Sequence, residues 1–208
     1  MQFIKAFLDL IFPPRCEVCR GLGPEALCEK CQKKINFLSP SAFIHSVGVY
    51  EGPLKTAIQR FKFKKKINLA EPLGVLLVKY LSHNLDMNLV DLIVPVPLHE
   101  RRVRERGFNQ AELLSHTITK YYDVPTVSGA LFRTRETHPQ FDLPRAERIK
   151  NVRGAFEVKG GSLLRDRSLL LLDDIYTTGS TVSECTRVLK AAGARQVHVL
   201  TLSRAIMV

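Results

Sequence analysis

The sequence predicts an α/β fold, a parallel sheet flanked by helices, with a small four-cysteine module ahead of it. Three observations carry this prediction. Short aliphatic runs at 91–94 and 169–172 alternate with stretches at helical spacing, and such alternation implies a parallel sheet with right-handed crossovers. The run Leu169 to Leu172 is continuous, as a strand buried on both faces requires. Cys16, Cys19, Cys28 and Cys31 form two Cys-x-x-Cys knuckles separated by eight residues. The 208 residues suit one medium domain plus such an appendage, and 45% hydrophobic content is enough for a core.

Residues 1–12 read as a short amphipathic helix with Phe3, Ile4, Phe7, Leu8 and Ile11 on one side. Lys5, Asp9 and the stop at Pro13-Pro14 set it apart from a signal peptide, and it is too short to cross a bilayer. Packing against the cysteine module is its expected role, with membrane association the alternative. Each knuckle presents two thiolates to one ion, and two knuckles close a tetrahedral shell for structural zinc with no open position for substrate. Two disulfides are the competing reading. The lack of a recognisable secretion signal and the remoteness of the fifth cysteine, Cys185, favour zinc. Such sites bind with about 10–16 kcal/mol, so a module this small is expected to unfold without metal. Cys185 is expected to pack as a small apolar residue. The chain thus divides into 1–40, leader and zinc module, and 41–208, the α/β domain.

In the larger part, Ala42 to Tyr50 reads as a strand, followed by a turn at Glu51-Gly52-Pro53. Leu54, Ile58 and Phe61 continue at helical spacing into the basic run Phe63-Lys64-Lys65-Lys66, and a second helical stretch covers 69–81. A buried strand at 91–94 precedes a helix that starts near Asn109. Leu131-Phe132, 155–158 and 196–202 are further strand candidates. In such sheets, ligands bind beyond the carboxyl ends of the strands.

The stretch after Leu172 carries the strongest functional signal. Asp173 and Asp174 stand at the strand end, and Thr177, Thr178, Gly179, Ser180 and Thr181 lead into a helical pattern at 182–192. A loop of small residues at a helix start directs backbone N–H groups and the positive end of the helix dipole at one point, which suits a phosphate. Gly179 lets the backbone approach closely, and the hydroxyls add donors. The two acids would repel a phosphate, but they suit sugar hydroxyls, or Mg2+ held through water. The competing reading is an ordinary strand–turn–helix whose Asp-Asp caps the helix. No Gly-x-x-x-x-Gly-Lys loop is present, which argues against a P-loop nucleotidase. This contiguous segment resembles the signature of type I phosphoribosyltransferases, proteins that bind phosphoribosyl pyrophosphate (PRPP). The resemblance implies that Asp173 and Asp174 contact the ribose hydroxyls, that residues 177–181 cup the 5-phosphate, and that Mg2+ accompanies PRPP.

Two further segments belong beside it. Arg101, Arg102, Arg104 and Arg106 follow the 91–94 strand, where the related enzymes carry a pyrophosphate loop, and arginine forks match phosphate oxygens in pairs. A solvated Arg/Glu helix start is the alternative. His99, also in this segment, is expected to satisfy a local hydrogen bond. Residues 133–153, including Gln140 and Arg145, are long, polar and basic, and lie where the related enzymes have a mobile loop that closes over substrate. A plain surface connection is the alternative.

Taken together, an aliphatic leader before the cysteines, Arg-x-Arg-Gly-Phe-Asn-Gln at 104–110, Thr137-His138-Pro139-Gln140, Asn151-Val152-Arg153-Gly154-Ala155-Phe156 and the 169–181 segment resemble the ComF family of competence proteins over essentially the whole chain. That resemblance implies a cytoplasmic protein of natural transformation, acting on incoming single-stranded DNA alongside other DNA-uptake proteins. The net charge of +11 favours polyanion partners. Phe61, Phe63 and Phe108 sit among basic clusters, where each is either a base-stacking platform or core. Three functions therefore stand: a DNA-handling phosphosugar binder, an active phosphoribosyltransferase, and a protein–protein adaptor with a vestigial phosphate site.

Overall fold

The computed structural model describes residues 13–136 and 145–206. Helix α1 (Glu29–Gln32) lies in the cysteine module, and strand β1 (Ile44–Val49) follows. Helices α2 (Gly52–Phe63) and α3 (Ala70–Asn84) lead to β2 (Leu92–Pro95), then α4 (Glu100–Arg106) and α5 (Gln110–Tyr122). Beyond these come β3 (Leu131–Arg133), α6 (Arg145–Val152), β4 (Phe156–Val158), β5 (Ser168–Tyr176), α7 (Ser180–Ala191) and β6 (Gln196–Arg204).

The main sheet has the order β1-β6-β5-β2, and every pair in it is parallel. Strand β5 explains its own leucine run. Leu169 and Leu171 join one core with Val94, Val197 and Val199, while Leu170 and Leu172 join the opposite core with Ile93, Leu200 and Leu202. Helix α7 covers the first core through Val182, Cys185 and Leu189, so Cys185 packs as an apolar residue. Helices α2, α3 and α5 cover the second. In α2 the buried residues Leu54, Ala57, Ile58 and Phe61 recur at i, i+3, i+4 and i+7. The helix stops where Lys65 adopts a left-handed φ of 51° and the Lys66 N–H turns back to the Arg60 carbonyl at 3.3 Å. Helices α3 and α5 cross closely at Gly74, where a β-carbon would lie 2.5 Å from Thr117.

The cysteine module is built into this second core. Cys16, Leu27, Cys31 and Ile35 are buried in the same cluster as Leu54, Ile58 and Phe61. The chain leaving the module also lines the edge of β1, with Leu38 N–H donating to Val47 O at 3.0 Å and Val49 N–H to Asn36 O at 2.8 Å.

Two expectations need correction. Leu131-Phe132 and the 155–158 segment do not extend the parallel sheet, because β3 and β4 pair antiparallel with each other, apart from it. The place beside β2 is taken by Thr126, whose neighbours Pro125 and Val127 exchange backbone hydrogen bonds with Ile93. Residues 100–106 form a helix of their own, capped by His99, which accepts from Arg101 N–H at 3.4 Å, and ended by Gly107 at φ 86°. Of the two readings kept for Phe61, the core one holds, because the ring is fully buried and stacks on the partly buried Phe108 at 5.4 Å. The leader 1–12, the Thr137-His138-Pro139-Gln140 motif and hence Gln140 lie outside the described residues. No described helix is long and apolar enough to cross a membrane.

Candidate functional site

Strands β2 and β5 are neighbours whose following helices leave to opposite faces, α5 to the core beneath α2 and α3, α7 to the other. A crevice opens beyond strand ends at such a point. Strand β2 ends at Pro95, opposite Leu172, whereas β5 runs on to Tyr176. The acids therefore lie inside the strand, with β6 along one edge and the other edge left to the crevice.

Asp174 is buried, and its Oδ1 accepts from Lys62 Nζ at 2.7 Å. Asp173 Oδ1 accepts the Asp174 N–H at 2.8 Å. Burial and the neighbouring Asp174 push the Asp173 carboxyl up to about 7, against the pull of Lys62 and Arg133. Downstream, the N–H groups of Thr177, Thr178 and Gly179 donate to no protein acceptor among the described residues. The Thr178 and Ser180 hydroxyls meet at 2.6 Å. Gly179 has φ 77°, and a β-carbon there would collide with the Tyr176 hydroxyl. The Tyr176 ring is held in turn by the Arg204 guanidinium, 4.6 Å from its centroid.

Helical periodicity divides the four arginines of α4. Arg101 and Arg104 are exposed and paired with Glu105, Glu136 and Glu100. Arg102 and Arg106, four apart, are partly buried on one side. Burial lowers the pKa of Arg106 while the Asp174 charge opposes that shift, so Arg106 belongs to the crevice. Arg133 on β3 is likewise lowered by burial and supported by Asp173. The remaining motif residues hold the frame. Arg106 donates to the buried Gln110 at 2.6 Å, and Asn109 caps α5 while donating to Val96 O at 3.1 Å. Gly154 N–H donates to Glu184 on α7 at 2.8 Å. Arg145 opens α6.

Lys62 and Tyr176 are site residues that sequence reasoning missed, and Arg133, the first residue of the 133–153 stretch read as a mobile loop, sits instead on β3. A signal for Lys62 was present, because it stands four residues after Ile58 and eight after Leu54, on the row of α2 that faces protein. The strand that holds Arg133 was not announced, since three residues have no readable periodicity.

In the cysteine module the four Sγ atoms lie within 4.8 Å of one another, with Cys19–Cys28 at 3.6 Å and Cys16–Cys31 at 3.9 Å. A tetrahedron with bonds of about 2.3 Å places its sulfurs about 3.8 Å apart, so this set fits structural zinc. The separations are far beyond a disulfide bond, and all four cysteines are free. Burial opposes the Cys16 thiolate, but N–H groups of Cys28, Cys19 and Val18 outweigh it and bring the thiol down to about 6. Burial and the neighbouring sulfurs push Cys31 up, a repulsion that a bound cation relieves.

Known proteins resemble this arrangement in parts and as a whole. The Double zinc ribbon domain family matches residues 7–42. Competence protein F of Haemophilus influenzae is 30% identical, across 92% of this chain and 97% of its own. DNA utilization protein YhgH of Escherichia coli is 34% identical, across 85% of this chain and 77% of its own. Competence protein ComFC of Streptococcus pneumoniae is 30% identical, across 91% and 80%. Among solved structures, glutamine PRPP amidotransferase from B. subtilis aligns with 70% of this chain and 30% of its own, at 19% identity and a TM-score of 0.47.

Proposed function

We propose, because this chain belongs to the family of Competence protein F and ComFC, that it is a zinc-containing accessory protein of natural transformation. In this reading it acts in the cytoplasm, binds PRPP or a related phosphosugar at residues 173–181, and handles incoming single-stranded DNA with other uptake proteins. The observation that carries the phosphosugar reading is the row of three N–H groups, Thr177 to Gly179, without protein acceptors among the described residues, shortly after an acidic pair whose second member, Asp174, is buried. The 5-phosphate takes those donors at the start of α7, aided by the hydroxyls of Thr178, Ser180 and Thr181. The ribose hydroxyls donate to Asp173 and Asp174. Arg102 and Arg106 face the pyrophosphate, while Arg101 and Arg104 stay on the outer face of α4. Mg2+ bound with PRPP supplies charge neutralisation, and Asp173 and Asp174 are the residues that would hold it through water.

Calorimetric titration of PRPP with Mg2+ into the zinc-loaded protein tests this reading. Wild type is expected to saturate at one site, and Asp174→Asn to bind at least tenfold more weakly with an unchanged circular dichroism spectrum. Absence of binding by wild type at millimolar PRPP contradicts the reading. Pyrophosphate release in the same mixture separates a transferase from a binder.

A further inference from the structure

Helix α2 has a second stripe besides its core face. Arg60, Phe63 and Lys64, at i, i+3 and i+4, line an open groove of about 630 Å³, completed by Arg20 and Lys66. The lining runs along the helix from Thr56 to Lys64, about 12 Å at 1.5 Å per residue. Four of the lining residues are cations. The carboxylate that faces them is Glu17, buried beneath, which pairs with Arg20 and Lys66 at 3.2 Å each and accepts from Arg60 through its backbone carbonyl. Lys64 has no partner among the described residues, so the groove keeps a surplus of positive charge. Phe63 is 56% exposed in the middle of it, with the Arg106 guanidinium 5.5 Å from its ring centroid. Cations along a groove around an exposed ring are what phosphates and an unpaired base require together. A duplex keeps its bases stacked inside and offers none to such a ring.

We propose that this groove holds a single strand of nucleic acid, with phosphates against Arg20, Lys64 and Lys66 and one base stacked on Phe63. The assignment rests on the reading of the protein as a handler of single-stranded DNA, and it puts the strand outside the phosphosugar crevice. Lys62 leaves the same helical turn in another direction, to Asp174, and Arg106 adjoins both, so groove and crevice are neighbouring sites rather than one.

Fluorescence anisotropy of a labelled oligothymidylate of about 12 nucleotides, on zinc-loaded protein, tests the groove. Three phosphate contacts predict a log–log salt slope of about −2. Lys64→Glu is expected to weaken binding about tenfold and flatten that slope by about one. Phe63→Ala is expected to weaken it about five- to a hundredfold, whereas Phe63→Tyr keeps the ring and the affinity. Saturating PRPP is expected to leave oligonucleotide affinity unchanged. Wild-type affinity in both Phe63→Ala and Lys64→Glu, failure of wild type to bind the oligonucleotide, or its displacement by PRPP overturns the proposal. PRPP titration of the same stocks keeps the two readings apart. Intact PRPP binding beside unaffected groove variants removes the groove alone, whereas loss of PRPP binding in wild type removes the phosphosugar site and leaves the groove result standing.

Discussion

Lys62 and Asp174, 112 residues apart in sequence, meet at 2.7 Å and join the end of α2 to the crevice edge of β5. Both side chains are largely withdrawn from water, at 13% and 10% exposure, so salt screens this pair much less than a surface pair. Lys62→Met strands a buried carboxylate. It is expected to cost about 3 kcal/mol in urea unfolding near pH 7.5, and little in an Asp174→Asn background. Carboxyl NMR is expected to show Asp173 titrating higher in the variant than in wild type, because the Lys62 charge no longer pulls it down.

Stability has two opposing pH dependences. His45 and His198 are buried with ring centroids 6.0 Å apart, and burial lowers both pKa values from 6.5. The unfolded chain therefore takes up protons that the native one refuses, so stability falls as pH drops through about 6.5. Asp173 acts the other way. Its native pKa of about 7 lies above the unfolded 3.8, so its contribution declines as pH rises between those values. His45→Phe is expected to soften the acid loss and Asp173→Asn to remove the decline toward neutrality, both read as urea midpoints from pH 4 to 8.

The crossing of α3 and α5 at Gly74 leaves no room for a methyl group beside Thr117. Gly74→Ala is expected to cost about 1–3 kcal/mol, despite the better helix propensity of alanine, and Thr117→Gly to recover part of that loss. Denaturant unfolding of the single and double variants checks it.

Because Cys16, Leu27, Cys31 and Ile35 share a core with α2 and α3, metal loss is expected to reach beyond the module. Chelation should release one zinc per chain and lower the melting temperature of the whole fold in one transition. Metal analysis with calorimetry checks this. Release of zinc with an unshifted main transition would show the module to be energetically separate.

What was legible in the sequence follows from which interactions are local. The Leu169–Leu172 run announces a strand between two cores, and the cysteine spacing announces a closed tetrahedral site, because each pattern is set within a few residues. The Arg101–Arg106 cluster was not legible as two pairs, since charge composition does not tell a loop from a helix, and only the helix turns Arg102 and Arg106 inward. That β3 and β4 pair with each other while Thr126 lies beside β2 is a long-range arrangement that three-residue strands do not encode. Phe61, Phe63 and Phe108 look alike in a basic setting. The second is exposed because it falls off the 54–57–58–61 row of α2.

The reading of the turn after β5 as a backbone grip on phosphate can be tested at its amides. Amide NMR of the zinc-loaded protein, titrated with PRPP and Mg2+, tests it most directly. The Thr177, Thr178 and Gly179 amides are expected to move furthest and to saturate together. Saturable binding that leaves those three signals in place while others shift would contradict it.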